Sequence, residues 1–530
     1  MSPNRRIGER VGWFAPLLGG LLVAFSLPPF GIWPLAIAGV AVLSTSTTAR
    51  SARGRAAAGG LFGIGQLAVG LGWALKFSLV GYVVLVLVES AMVAVAVAVA
   101  PSRHARAPAL AGLLTLAEWL RDVWPFGGLP LGGIALGQVG GPLLPTARLG
   151  GPLLVAGLTY LAGAALGEIP VIFGASRGAS SGAPLGAQGR SGHYLAQMDG
   201  SVRSGARLAA VAVELALVVG VSIWGALAPS GGPPTRILSV DVVQGGGLRG
   251  YSQIEIPPAH VLTAALSETA KLTGPVDLVL WPEDVVALDE PIGRSPVDGE
   301  LAGVARRLHT TLVVGATWPV GATRYRNEIL AYSPSGRLVS SFEKVHRVPF
   351  GEYVPWRSFF SRIANLSAVP RDAIAGTGSG MIPTPAGRLA VLVSYEVFFP
   401  DRGRSGVRAG GQLIVVPTNT SSYSSDQAPS QEIAASRLQA VSEGRDLLQA
   451  APTGYSAVIN SQGTVRELSA LSVPAILRAS VALRSGSTLF ERFGELPVLL
   501  LAAAAVLAGW ASAIWFRAAT RRKRGVSGGG

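Results

Sequence analysis

The chain has 530 residues, 49% of them hydrophobic and 14% charged, where a soluble domain carries roughly 25% charged residues. A mean hydropathy of +0.44 and several apolar stretches near the ~20 residues that cross a bilayer argue against a single soluble domain. The absence of cysteine excludes a disulfide framework and a cysteine-ligated zinc site.

Seven apolar segments crowd the first 230 residues, near Val11–Leu27, Ile32–Thr45, Ala56–Ser78, Gly81–Ala100, Pro108–Leu120, Leu143–Val171 and Leu208–Ala228, and one more, Pro497–Phe516, comes late in the chain. The net charge of +14 would suggest nucleic acid, but its distribution follows the positive-inside rule. With the N-terminus cytoplasmic and the sides alternating, the inner segments hold Arg5, Arg6 and Arg10; Arg50, Arg53 and Arg55; Arg103 and Arg106; Arg177, Arg190, Arg203 and Arg207; and Arg517, Arg521, Arg522, Lys523 and Arg524. Against these 17 cations stand Glu9 and Asp199, while the short outer loops hold only Lys76, Arg121 and Arg148. The basicity is therefore a topology signal, and no nucleic-acid partner is expected.

The expected organisation is a seven-helix transmembrane domain over 1–230, an extracytoplasmic domain over 235–486, an eighth helix over 497–516 and a basic cytoplasmic tail over 517–530. The first segment reads as a retained helix rather than a signal peptide. The Gly/Ser/Ala-rich stretch Gly174–Ala206 reads as a flexible cytoplasmic loop. Glu89 and Glu214 are the acids well inside spans, and neither has a basic partner at comparable depth in the sequence, which weakens a transport reading.

From Thr235 the composition becomes that of a globular domain. Short β-branched runs recur at Arg236–Val243, Val276–Trp281, Thr311–Ala316, Leu389–Ser394, Leu413–Pro417 and Ala457–Asn460, with helical patterns such as Pro258–Leu272 and Gln427–Leu448 between them. Buried strands alternating with helices predict an α/β layered domain, whose reactive groups belong at strand ends.

Three strand ends stand out. Leu278-Val279-Leu280-Trp281-Pro282-Glu283 puts a carboxylate after a buried strand; the segment from Phe342 to Pro355 puts Lys344 and Glu352 in a loop; and Val391-Leu392-Val393-Ser394-Tyr395-Glu396 ends a third strand with a hydroxyl and a glutamate. A base, a cation and a nucleophile are what acyl transfer through a covalent intermediate needs. Taken singly, each has a plainer reading: a strand-end turn, a solvated charge, a buried hydroxyl. The chain has 4 lysines against 40 arginines, so a lysine in this loop suggests a need for a compact, tunable ammonium. His346 lacks a second histidine at ligand spacing, so a structural hydrogen bond is favoured over a metal, and no cofactor is expected.

These three segments, in this order, resemble the nitrilase superfamily, with its Glu–Lys–Cys triad on an αββα sandwich. The run Lys344-x-His346-x-Val348-Pro349-Phe350-Gly351-Glu352-Tyr353-Val354-Pro355 is similar to the signature of bacterial apolipoprotein N-acyltransferases. Supporting matches are Ala117-Glu118-Trp119-Leu120-Arg121, Arg437 with Ala440, Gly444 and Arg445, and Thr453-Gly454-x-Ser456-Ala457. The resemblance implies an eight-span plasma-membrane protein with the nitrilase-like domain outside, Glu283 as general base, Lys344 as oxyanion stabiliser, Glu352 and Glu396 as accessory glutamates, and Asn419 as the post-strand asparagine. It also implies a ping-pong reaction. A phospholipid, typically phosphatidylethanolamine, would give an acyl chain to the nucleophile, which would pass it to the α-amino group of the diacylglyceryl-cysteine of a lipoprotein. Trp356, Phe359, Phe360 and Ile363 read either as lid or lipid-facing residues or as a plain core helix.

Two departures accompany the resemblance. Ser394 stands where the family has cysteine, and Asn419-Thr420-Ser421-Ser422-Tyr423 replaces the family's Asn-Asp-Ala-Trp-Phe-Gly run. A serine hydroxyl holds its proton more tightly than a thiol of pKa ~8.5, so Ser394 is a slower nucleophile, a block at one atom, or the mark of a paralogue that binds lipid or lipoprotein without turnover. A membrane-bound carbon–nitrogen hydrolase is the remaining alternative.

Overall fold

The computed structural model describes residues 3–48, 50–101, 105–180, 190–250, 255–362 and 365–526. Helices occur at each of the eight apolar segments. Among the described residues four stretches are long and apolar enough to cross a membrane: Leu79–Val99, Leu144–Phe173, Ser204–Leu227 and Leu496–Ala518. Phe14–Ser26 and Pro34–Thr47 are shorter apolar helices, and the helices Ala52–Gly70 and Arg106–Val123 include buried polar residues.

Local sequence explains where this region departs from expectation. The third segment stops at Gly70 and turns through a 3-10 helix, Gly72–Lys76, instead of running to Ser78. The sixth is broken at Gly150 and Gly151, where Gly151 has φ +68° and a Cβ would lie 2.5 Å from the Phe490 ring, so only glycine fits. Helix continues to Ser180 and resumes at Arg190, so much of the stretch expected as a loop is helical, because extending a helix costs far less than nucleating one. The rest of that stretch, 181–189, lies outside the described residues.

Glu89, expected to lack a cation, has one. The fifth helix runs past Leu120 to Val123 and carries Arg121 inward, where it pairs with Glu89 and, at 3.2 Å, with Glu118. Arg121 and Glu89 are both fully buried. Charge neutralisation is what permits an arginine expected in an outer loop to enter the packed region.

Two six-strand paths face each other in the second half of the chain. In the first sheet the order is Ala475–Arg484, Pro234–Gln244, Leu278–Leu280, Thr311–Val320, Arg324–Tyr332, Leu338–Glu343, with the second, third and fourth strands parallel; Val286–Ala287 and Asp372–Ala373 pair at its side. In the second it is Val465–Leu468, Ala457–Ile459, Leu447–Ala450, Leu413–Pro417, Gly387–Val391, Met381–Thr384, with the third, fourth and fifth strands parallel. The strands Arg324–Tyr332, Leu338–Glu343 and Ala475–Arg484 had no counterpart in the sequence reading, and the helix expected over Gln427–Leu448 ends at Glu443, where Gly444 takes a left-handed cap (φ +62°) and frees Leu447–Ala450 to pair as a strand.

Alternation along the strands sorts the core. Leu278, Leu280, Val313 and Ile329 meet Leu389, Val391, Val415 and Leu448 between the sheets. Val279, Leu312 and Val314 point the other way, against Leu301, Ala305 and Leu308 of the Pro296–Leu308 helix. The opposite outer face, with Ile414, Val416 and Leu447, packs on Ala434 and Leu438 of the Gln427–Glu443 helix, and this core continues into Leu110, Leu144 and Val155 of the helical region. One sandwich layer is thus shared between the sheets and the helices.

Candidate active site

Glu283, Lys344 and Ser394 all follow strands that end on the same side of the sandwich. Beyond Leu280, Trp281 N–H donates to Val313 carbonyl (2.8 Å) and Pro282 carbonyl accepts from Gly315 N–H (3.1 Å). Gly315 is required there: a Cβ would lie 2.5 Å from Glu283 Cα. Glu283 is 2% exposed, and its Oε1 accepts from Asn327 Nδ2 at 2.8 Å and from Lys344 Nζ at 2.9 Å.

Lys344 is the first residue past the strand Leu338–Glu343, and its N–H donates to Asn327 carbonyl at 2.9 Å. Its side chain is 1% exposed. Nζ also reaches Glu352 Oε1 at 2.6 Å, and Glu352 Oε2 accepts from Val348 N–H at 2.8 Å, closing the loop back on itself. Burial alone would push the ammonium down, but Glu283 and Glu352 outweigh it and hold its pKa well above the ordinary lysine range. Burial pushes the Glu352 carboxyl up, with Lys344 opposing.

Ser394 opens a 3-10 turn, Ser394–Phe398, in left-handed backbone (φ +50°), a conformation uncommon for a non-glycine residue and frequent at reactive sites. Glu396 holds that turn. Its Oε2 accepts from Val393 N–H, its Oε1 accepts from Val345 and His346 N–H, all at 2.9 Å, and Arg402 lies 3.4 Å from Oε1. The turn bearing Ser394 is therefore tied to the loop bearing Lys344. Burial pushes the Glu396 carboxyl up, against Arg402 and these N–H groups.

Half-buried Ser394 is bonded not to Glu283 or Lys344 but to Thr418, Oγ to Oγ1 3.1 Å. Asn419 Nδ2 donates to Asp284 Oδ2 at 3.4 Å, linking its loop to the one after Glu283. His346 Nε2 meets Gly127 carbonyl at 3.2 Å and its ring stacks on Phe399 at 3.6 Å, while burial pushes its pKa down. Trp356 and Phe359 are largely exposed, and Phe126 joins them through ring contacts with Trp356 (5.1 Å) and Phe350 (5.7 Å); Ile363 lies outside the described residues.

Several partners were missed from sequence. Asn327, on a strand with no recognised pattern, fixes Glu283. Tyr353 Oη and Tyr395 Oη donate to Phe126 carbonyl (3.1 Å) and Gly128 carbonyl (2.8 Å), and Gln431 accepts from Gly132 N–H and donates to Gly70 carbonyl, both at 2.9 Å. The helical region thus grips both active-site loops. Thr418 and Glu432 also went unremarked, although the helix bearing Glu432 was expected; that helix is buried nearly all round, so no polar–apolar period marks the face that carries Glu432.

Residues 247–470, which hold most of this two-sheet sandwich with its buried ammonium between glutamates and its left-handed serine turn, match the carbon–nitrogen hydrolase family. Residues 19–165 match the apolipoprotein N-acyltransferase N-terminal domain. An apolipoprotein N-acyltransferase from Geobacter metallireducens is 35% identical over 236 residues, 43% of this chain and 44% of that relative. One from Mycolicibacterium smegmatis is 29% identical, covering 70% of this chain and 62% of its own. One from Azotobacter vinelandii is 27% identical and covers 95% of both chains. The aligned part spans less than two thirds of the first two relatives, and nearly all of the third. The chain is thus similar to an apolipoprotein N-acyltransferase along nearly all of its length.

Proposed function

We propose that this protein moves an acyl chain from a phospholipid to the α-amino group of a diacylglyceryl-cysteine, through an acyl ester on Ser394. The observation that carries the reading is the buried Lys344 ammonium, held by Glu283 and Glu352 at 2.9 and 2.6 Å. Two of its three N–H groups are taken by carboxylates and the third has no protein partner among the described residues, as an oxyanion donor requires. Glu283 takes the Ser394 proton while Oγ bonds to the donor's ester carbonyl carbon and the carbonyl oxygen becomes an oxyanion facing Lys344. Collapse breaks the bond to the glycerol oxygen, which receives the proton from Glu283, and lysophospholipid leaves. The acceptor's amine then attacks the Ser394 ester, gives a proton to Glu283, and Ser394 regains it as the amide is released. Glu352 and Glu396 fix the two loops, and Asn419 fixes the strand end opposite Glu283.

Phosphatidylethanolamine is the proposed donor, and the exposed Trp356 and Phe359 suit an amphiphilic substrate. The family relationship and the cation distribution support eight spans in a bacterial plasma membrane, both termini cytoplasmic and the sheet domain outside.

A paired assay tests this. The protein and Ser394→Cys each receive phosphatidylethanolamine and a diacylglyceryl-cysteine peptide, with mass spectrometry of peptide and enzyme. N-acylation by the serine protein is the expected result, with a larger rate for the cysteine variant because a thioester yields more readily to an amine. Activity in the cysteine variant alone would assign the serine protein to binding without turnover, a reading that the Ser394 substitution itself favours. Silence of both, where an active relative works, sinks the acyltransferase reading.

A further inference from the structure

A fourth carboxyl group reaches the nucleophile's position from behind. Glu432, on the Gln427–Glu443 helix, is 2% exposed, and its Oε1 lies 2.5 Å from Thr418 Oγ1. Thr418 is fully buried, and the same Oγ1 is 3.1 Å from Ser394 Oγ. One hydroxyl has one proton, so Thr418 cannot donate to both neighbours.

The chain therefore has two directions. If Glu432 is ionised, Thr418 gives its proton to the carboxylate and accepts from Ser394, which turns the serine proton away from Glu283. If Glu432 is protonated, it donates to Thr418, Thr418 donates to Ser394 Oγ, and the serine proton is free to meet the base. In that second direction the donated hydrogen bond also stabilises negative charge as it grows on Oγ.

We propose that Glu432 is a positioning residue which, in its protonated form, points a hydrogen-bond chain through Thr418 at Ser394 and so readies this serine for attack. This rests on the acyl-transfer reading for its purpose, though not for its geometry. The surroundings settle which oxygen carries the proton. Gln449 Nε2 lies 3.3 Å from Glu432 Oε2 and is anchored by Tyr455 carbonyl at 3.0 Å, while Gln449 Oε1 accepts from Ser436 Oγ at 2.6 Å. Oε2 is thus an acceptor, and Oε1 is left to donate. Burial pushes the Glu432 carboxyl up to about 8, Thr418 opposes, and of the charged groups facing it across the cleft Glu283 raises it and Lys344 lowers it. The Tyr423 phenol, in the loop before the helix, also senses Glu432, and burial pushes it far above that range. A serine needs this help more than a thiol, because its proton is the harder one to remove.

The test reads Ser394 itself, with an alkyl fluorophosphonate as probe, alongside phospholipid-dependent acyl-enzyme formation, from pH 6 to 9.5 on the full chain. Labelling of the parent should fall about tenfold between pH 7 and pH 9 as Glu432 ionises. Glu432→Gln keeps both contacts, because its amide nitrogen donates to Thr418 and its oxygen accepts from Gln449; it should label at pH 7 and lose the alkaline fall. Thr418→Val should lower labelling about tenfold at pH 7 and also lose the fall, and Thr418→Ser should restore both. A fall that persists in Thr418→Val means Glu432 acts by charge through space and overturns the chain. So does a fall that persists in Glu432→Gln, or a parent that the probe never labels. Labelling that follows these rules without any phospholipid acyl-enzyme would instead sink the acyl-transfer reading and leave the chain standing.

Discussion

In the helical region Arg121 sits between Glu89 and Glu118; in the sheet domain Lys344 sits between Glu283 and Glu352. Both cations are 1% exposed, and each faces two carboxylates. The difference lies in where each cation stands and what it holds. Arg121 donates through Nε to Glu89 and through Nη2 to the Leu129 and Leu131 carbonyls, at 3.2 and 3.0 Å, bracing the loop that meets the sheet domain, while Nη1 makes only an ion-pair contact with Glu118. Lys344 is a point charge on a flexible stem, with a donor still to give. The first arrangement holds a shape and the second holds a charge ready for a guest. Burial and pairing alone do not separate the two clusters; their setting does, because Arg121 stands among packed helices while Lys344 stands at a strand end, in a loop tied to the turn bearing Ser394.

The largest effect should come from Lys344→Ala. Lys344 is the proposed oxyanion donor, and removing one such donor costs about 10²–10³ in rate, so acyl-enzyme formation, followed by mass spectrometry, should drop by at least that factor. Arg121→Leu should leave the chemistry in place. Stripping the cation from a buried pair costs about 3–5 kcal/mol, so the melting transition in detergent should fall steeply while the folded fraction still forms acyl-enzyme. An unchanged melt with abolished chemistry would erase the distinction between the clusters. Gly315→Ala sharpens it from the side of geometry: the added methyl meets Glu283 Cα at 2.5 Å and must displace Glu283, the proposed base. A misplacement near 1 Å can cost about 10²-fold, so the rate should fall between about 10- and 10²-fold with Lys344 untouched.

The same contrast explains what could be read in the sequence. Glu283, Lys344, Glu352 and Ser394 were legible because each follows a buried run or sits in a distinctive loop, so local pattern and chemistry coincide. Asn327 was invisible: its strand, Arg324–Tyr332, begins with Arg-Tyr-Arg-Asn-Glu, which lacks a clean apolar alternation, and only pairing with Thr311–Val320 makes it a strand. The Arg121 cluster was missed for another reason. Glu89 and Arg121 are 32 residues apart on different helices, and a hydropathy profile counts a charge near a helix end as outside. Gly444 carried a real stop signal that the helical period of the preceding residues masked. What was lost is what depends on partners distant in sequence.

A third ion pair sets the lower end of the scale. Arg357 and Asp372 bond twice, Nη2 to Oδ1 at 2.5 Å and Nε to Oδ2 at 3.0 Å, beside a cavity of about 550 Å³ that Arg324 and Arg347 also line. Both side chains are about one third exposed. Burial would raise the Asp372 carboxyl, but Arg357 and Val354 N–H overcome it and hold it below the ordinary carboxylate range. A depressed carboxyl stabilises the fold above its unfolded pKa of about 3.9, and that contribution is lost as the pH falls through the folded value. Solvent screening caps a pair this exposed at under about 1 kcal/mol. Arg357→Ala should therefore lower stability by less than that at pH 7, and the gap to the parent should begin to narrow only below about pH 3.9 as denaturation is repeated at successively lower pH. Arg357 Nη2 also donates to the Val369 carbonyl at 2.9 Å, so a gap of several kcal/mol, or one that does not narrow at all below about pH 3.9, would mean that this bond and packing, not Asp372, carry its contribution. A guanidinium with two short bonds would then rank with Arg121 as architecture, and exposure would no longer predict which ion pairs matter in this fold.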